Sequence, residues 1–189
     1  MSTKSPKNVV AEAKQGLVDA IHGVGDVGGA VVDAVTGVMV RTLQGTRAVG
    51  TEAVSLGADT VTGVVHGVAE VGTEVGEAAS SIMVGALRGT QQVGKATIDS
   101  VSTNAAALVK STADVGGNVT RAAKGAVEGA IEAASELGMS AEEAASAAAT
   151  GALRAAGEVS SSAGAEVRKA LTGSIHGVKV VLKEPFRKA

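Results

Sequence analysis

The chain has no cysteine, tryptophan or tyrosine, and only one phenylalanine and two prolines in 189 residues. Without cysteine there is neither a disulfide framework nor a thiolate metal site. With Phe186 as the sole aromatic and leucine and isoleucine scarce, a conventional close-packed interior is not expected. The 45% hydrophobic content is mostly alanine and valine, beside 26 glycines. Pro6 and Pro185 stand near the two ends, so the sequence between them has no proline hinge. Long apolar runs are missing too. The longest stretches without Asp, Glu, Lys or Arg are ten residues, such as Thr60 to Ala69, whereas a bilayer span needs about 20 apolar residues. The opening ten residues lack the basic-then-apolar pattern of a secretory signal.

The net charge of −2 conceals a polarity. Residues 20–166 carry 16 acidic and 8 basic side chains, a balance of −8, and residues 167–189 carry 1 acidic and 6 basic, a balance of +5.

What the chain does have is a repeat. In blocks of 22 from Ala13, one column reads Val27, Val49, Val71, Val93, Val115, Leu137, Val159 and Val181. The next reads Gly28, Gly50, Gly72, Gly94, Gly116, Gly138, Ser160 and Leu182. A third, six residues ahead of the first, is aliphatic throughout: Ile21, Leu43, Val65, Leu87, Val109, Ile131, Leu153 and Ile175. Eight blocks keep one register without an insertion, the signature of a tandem array.

Each block divides into two elevens. Counting Val24 as position 1, the apolar positions are 1, 4, 5, 8, 9 and 11, a three- and four-residue spacing that predicts helix. At roughly 98° per residue these positions share one arc of about 165°. Of 26 charged residues between Val24 and Val178, only Glu142 and Glu166 fall on that arc. A β-solenoid is rejected, since period two would put charge on both faces. The expected fold is all-α: a long amphipathic helix or a helical hairpin of tandem 11-residue repeats paired into 22, able to pack into right-handed multi-helix assemblies. A continuous helix from Ala11 to Lys183 would reach on the order of 260 Å. Bends are equally open, at Gly28-Gly29, Gly116-Gly117 or Ser160-Ser161-Ser162. The domain reading is a polar lead over 1–12, the array over 13–182 and a basic tail over 183–189.

A glycine inside a helix costs about 1 kcal/mol relative to alanine, so something outside the helix must hold it. The candidates are an apolar surface or other copies of the same stripe. Ile21, Val27, Leu43, Val49, Val65, Val71, Leu87, Val93, Val109, Val115, Ile131, Leu137, Leu153, Val159 and Ile175 are therefore expected to face lipid or a partner. Gly28, Gly50, Gly72, Gly94, Gly116 and Gly138 are expected to mark close helix packing, and Gly63/Gly67, Gly85/Gly89 and Gly173/Gly177 are small-xxx-small pairs at one edge of the arc.

The segments Gly63-Val64-Val65-His66-Gly67-Val68-Ala69 and Val27-Gly28-Gly29-Ala30-Val31-Val32 read like parts of a synuclein helix. The uninterrupted array over residues 13–182 resembles the lipid-surface helices of synucleins, exchangeable apolipoproteins and perilipins. That resemblance implies a peripheral lipid-binding coat. The chain departs from it by lacking the Lys-Thr-Lys-Glu-Gly core and by holding Glu52, Glu74, Asp33 and Asp99 where those families place lysines. Attraction to an anionic membrane would rest mainly on Arg168, Lys169, Lys179, Lys183, Arg187 and Lys188. Desiccation proteins with eleven-residue repeats are a weaker likeness, being far more hydrophilic than a chain of mean hydropathy +0.27.

Other motifs dissolve into the repeat. Gly23-Val24-Gly25-Asp26-Val27-Gly28 matches a dinucleotide fingerprint, but no strand precedes it, and Gly23 and Gly28 occupy columns that are glycine in other blocks. His22, His66 and His176 share one polar column, 44 and 110 residues apart, too far on a straight helix for one metal site. The sequence thus points to a non-enzymatic amphipathic coat or scaffold on a lipid or similar apolar surface, or to a self-assembling filament or bundle protein using the same stripe. Homo-oligomers and a peripheral cytoplasmic place on a membrane or granule are expected; no cofactor, metal or nucleic-acid partner is.

Overall fold

The computed structural model describes residues 6–21, 27–46, 50–94 and 96–182. It is all-helical apart from one terminal hairpin. The elements are α1 (Pro6–Ile21), α2 (Val27–Thr46), α3 (Thr51–Glu70), α4 (Val75–Gln92), α5 (Ile98–Asp114), α6 (Val119–Leu137), α7 (Ala141–Val159), α8 (Ser161–Leu171), β1 (Gly173–Ile175) and β2 (Val178–Val180). The continuous helix does not form. The chain folds back repeatedly, and helix already begins at Pro6, inside the stretch read as a polar lead.

Glycine and the residue two or three places after it make the turns. Gly50, Gly72, Gly94, Gly116 and Gly138 all have left-handed φ, between 57° and 79°. This conformation ends a helix at little cost when no Cβ is present. After Gly72, Gly116 and Gly138 the next N–H returns to a carbonyl five residues back: Thr73 to Val68, Gly117 to Thr112 and Met139 to Ala134. Helices α5 to α8 are each capped by a side chain. Thr97 accepts from the Ser100 N–H in a capping box, Asn118 from Arg121, Ser140 from Glu143 and Ser160 from Ala163.

The helices lie in two rows. The most extensive contacts join helices two apart in the chain: α4 with α6, α5 with α7, α2 with α4 and α1 with α3. Each turn carries the chain from one row to the other, and a single core fills the space between them. Within a row the helices run parallel. Ala79 meets Gly125, Met83 meets Gly129 and Arg88 meets Glu136, in the same order along α4 and α6.

Close approach within a row is made by a second set of glycines. A Cβ on Gly129 would lie 2.5 Å from the Ser80 carbonyl oxygen and 2.9 Å from Met83 Cβ; one on Gly85 would lie 2.7 Å from the Val32 oxygen. Gly63 sits in the same way against the Val10 carbonyl and Gly151 against that of Ser102. With Ala107 these residues form one 22-residue column, each facing the preceding helix of its row. Helices α1 and α2 have no preceding row neighbour, and there the column holds Asp19 and Arg41. At that end the Arg41 side chain lies over Gly16 and Gly37, 3.5 Å from where a Cβ on either would sit. Charge thus closes the first end of the stack, as terminal repeats of linear arrays require.

The last block departs from helix. The helical array stops at Leu171 rather than running to 182. Residues 173–180 form a hairpin in which Ile175 pairs with Val178 across a two-residue turn. His176 and Gly177 both take positive φ, 49° and 79°, as a type I′ turn demands. The β-branched Val178, Val180 and Val181 favour the extended state, and β2 packs on α7, covering the other end of that row.

Two glycine substitutions of opposite sign check this account. Gly129→Ala is expected to lower the unfolding free energy by about 1–3 kcal/mol through overpacking. Gly45→Ala, where an added methyl meets nothing within 4 Å, is expected to raise it by about 0.5–1 kcal/mol through helix propensity. Urea denaturation followed by circular dichroism reads both, and a shared sign would refute the close-approach role of Gly129.

Candidate interaction surface

The apolar arc is turned inward. Leu43, Val65, Leu87, Val109, Leu153 and Ile175 are buried. Val93, Val115, Ile131 and Leu137 are half-buried against the same core, and Val71 is half-buried. Among the described residues expected to make contact, only Val159 is exposed, at 43%. Val49 and the side chains of Ile21 and Val27 lie outside the described residues. In this closed state the stripe faces the chain's own helices rather than lipid, because folding back lets several arcs remove one another from water at once.

The glycine column also needs correcting. A Cβ at Gly50, Gly72, Gly94, Gly116 or Gly138 would meet nothing within 4 Å, so these residues pack against no helix; their left-handed φ is what needs glycine. Gly28 is exposed in the first turn of α2. Of the small-xxx-small pairs, Gly63/Gly67 and Gly85/Gly89 do sit at helix contacts, against α1 and α2 respectively. Gly173 and Gly177 belong to the hairpin.

The two rows present different outer surfaces. In the even row, salt bridges tie α4 to α6. Arg121 of α6 reaches Glu74 at 2.7 Å and Glu77 at 3.7 Å, beside α4. Arg88 of α4 donates two hydrogen bonds to Glu136 of α6, at 2.6 and 2.7 Å. That bidentate contact holds the Glu136 carboxyl below its ordinary range and raises the Arg88 guanidinium. His176 of the hairpin approaches Glu128 at 3.7 Å. His66 is half-buried on α3, and His22 lies outside the described residues.

The odd row is smoother, with side chains such as Ser102, Thr103, Ala106, Ser146 and Thr150. Ser111 of α5 donates to Thr62 of α3 at 3.2 Å. Shallow side chains leave grooves between α3, α5 and α7. One of about 730 Å³ runs from Thr51 and Thr97 to Arg154, and another of about 420 Å³ lies between Ile98, Glu142 and Val181. Sequence reasoning missed both, because they are made by residues about 48 apart that only the row packing brings together.

Buried hydroxyls on the helices are satisfied locally. Thr60, Thr90 and Thr112 each donate to the carbonyl four residues back, at 2.7 to 2.8 Å. Asn104 is the exception: 1% exposed, with neither amide atom hydrogen-bonded. Its oxygen faces the space left by Gly57, 3.3 Å from where a Cβ would lie. Partial burial without a compensating partner also pushes the Asp59 carboxyl above the usual aspartate range.

Searches against protein-family models, curated proteins and solved structures each found no match.

Two substitutions test the polar misfits. Asn104→Val, a residue type found at Val38 in the same column, should raise stability by about 1–3 kcal/mol, the usual cost of an unpaired buried polar group. Asp59→Asn should also stabilise at neutral pH. A carboxyl raised in the folded state opposes folding above that raised pKa and ceases to as pH falls below the unfolded value, so the gain should vanish in acid. Denaturant melts at several pH values read both effects; a gain for Asp59→Asn that persists in acid would refute the burial account.

Proposed function

We propose that the chain is a non-enzymatic amphipathic scaffold that stores its apolar stripe inside a self-packed stack and opens onto a lipid or similar apolar surface. The observation that carries this reading is an unbroken phase. The arc keeps one register through eight 22-residue blocks although the helices are separated by turns. Turns tolerate insertions, and a stack of separate helices has little need of equal spacing. A surface helix does need it, because one extra residue would rotate every later arc away from the surface by about 100°.

The turns supply the means. Gly72, Gly94, Gly116 and Gly138 hold left-handed φ, yet glycine takes right-handed φ as readily. Reversal at each turn would join neighbouring helices into a longer one with its arc on one side. The core favours exchange as well, being built mainly of alanine and valine, so each residue withdrawn from it gives up little apolar contact. None of the described helices is long and apolar enough to cross a membrane. The opened helix would lie parallel to the surface, inserting shallowly.

The chain has no cysteine, so a site-specific clamp is available. Arg88→Cys with Glu136→Cys, joined by a short bis-maleimide, ties α4 to α6. Lys14→Cys with Glu70→Cys does the same for α1 and α3, whose side chains meet at 2.7 Å. Untied protein should bind loosely packed vesicles with its helicity kept, and clamped protein should bind at least about tenfold more weakly. Equal binding by tied and untied forms, or no binding to vesicles or droplets of any composition, would overturn the proposal.

A further inference from the structure

The smaller groove on the odd row has an unusual rim. Two of the large hydrophobic side chains most exposed to solvent, Ile98 at 38% and Val181 at 52%, both line it, as does Ala147. Asp99, Glu142 and Glu143 stand around it, and none has a cationic partner among the described residues. An apolar floor with unpaired acids at its edge calls for a basic segment bearing a hydrophobic anchor.

This chain carries such a segment beside the groove. Val181 donates its N–H to Ser146 Oγ at 3.1 Å, which lays the backbone on α7, and Leu182 packs against the core. The chain therefore leaves β2 at the groove's own edge. Residues 183–189 lie outside the described residues and read Lys183, Glu184, Pro185, Phe186, Arg187, Lys188 and Ala189. They hold three basic side chains against one acid, and the only aromatic ring of the protein. Phe186 is four residues beyond Leu182, within about 14 Å of extended chain. A phenylalanine ring buries on the order of 150–250 Å² when it docks, and a groove of about 420 Å³ has room for it.

We propose that residues 183–189 fold back onto the α5–α7 groove, with Phe186 against Ile98 and Val181, and with Arg187 and Lys188 against Asp99, Glu142 and Glu143. The docked tail covers the apolar opening left at the hairpin end of the odd row. It also withholds basic residues from anionic partners while it is seated. The proposal concerns the closed stack and does not depend on the stack opening.

The test uses the full chain with Phe186→Trp, whose indole is the only one in the protein. Docking predicts blue-shifted emission, protection from acrylamide, and no change on dilution. Reversing the tail charges with Arg187→Glu and Lys188→Glu, which leaves the helices untouched, should lower the docked fraction by roughly threefold per residue, the scale of an exposed ion pair. Adding Glu142→Lys and Glu143→Lys to that variant should restore protection, whereas the same pair alone should release the tail. Circular dichroism confirms that each variant keeps its helices. A water-exposed indole unmoved by any reversal would overturn the proposal. So would protection lost on dilution, which would place the tail in the groove of a second copy, or protection insensitive to Ile98→Ser, which would place the ring elsewhere.

Discussion

How near two parallel backbones can come decides the rest of this structure. Gly63, Gly85, Gly129 and Gly151 each bring a helix against a carbonyl of its row neighbour, at distances no side chain would allow. A chain of alanine and valine buries little apolar area per residue, so it depends on many short contacts between backbones and small side chains. The same closeness explains the scarcity of large residues in the interior, where Leu17, Met39, Ile82, Met83 and Leu108 are among the bulkiest. The buried hydroxyls of Thr60, Thr90 and Thr112 turn back on their own helices, each donating to the carbonyl four residues earlier.

From that spacing follow the two unlike faces. In the even row, long side chains bridge the narrow gaps on the outside, as Arg88 does to Glu136 and Arg121 to Glu74. In the odd row short side chains leave the gaps open as grooves, with Arg154 and the acids of α7 at their margins. The α4–α6 face is braced and charged, the α3–α5–α7 face corrugated and accessible.

The helical arc was legible because its phase coincides with burial. Val35, Val68, Ala79, Val101, Ala123, Ala134, Ala145, Ala156 and Val167 share position 1 of the eleven, and all are buried. The turns were hidden by the same regularity: a pattern that continues in phase through every break reads as unbroken helix. Their signal was present nonetheless. Gly94, Gly116 and Gly138 are followed within three residues by Thr97, Asn118 and Ser140, which is helix stop and helix start written together. The glycine column was read as a packing surface because spacing alone does not report the sign of φ. The row contacts, the grooves and the unpaired Asn104 depend on tertiary neighbours in other blocks, which no local pattern names. The hairpin had a local cue in His176-Gly177 between β-branched residues, masked by agreement of Ile175 with its column.

The alternation of rows gives the molecule a parity. Each 22-residue unit sends the chain to the opposite row, and each row contact joins units two apart. A gain or loss of two units would lengthen or shorten the stack while leaving every remaining helix on its own side. A change of one unit would transfer all later helices across the core. Residues shaped for the braced face would then stand among the grooves, and a unit gained or lost between Arg88 and Glu136 would keep that pair from meeting. A chain of this design can therefore vary in length by pairs of helices, and an odd change forfeits the difference between its two faces.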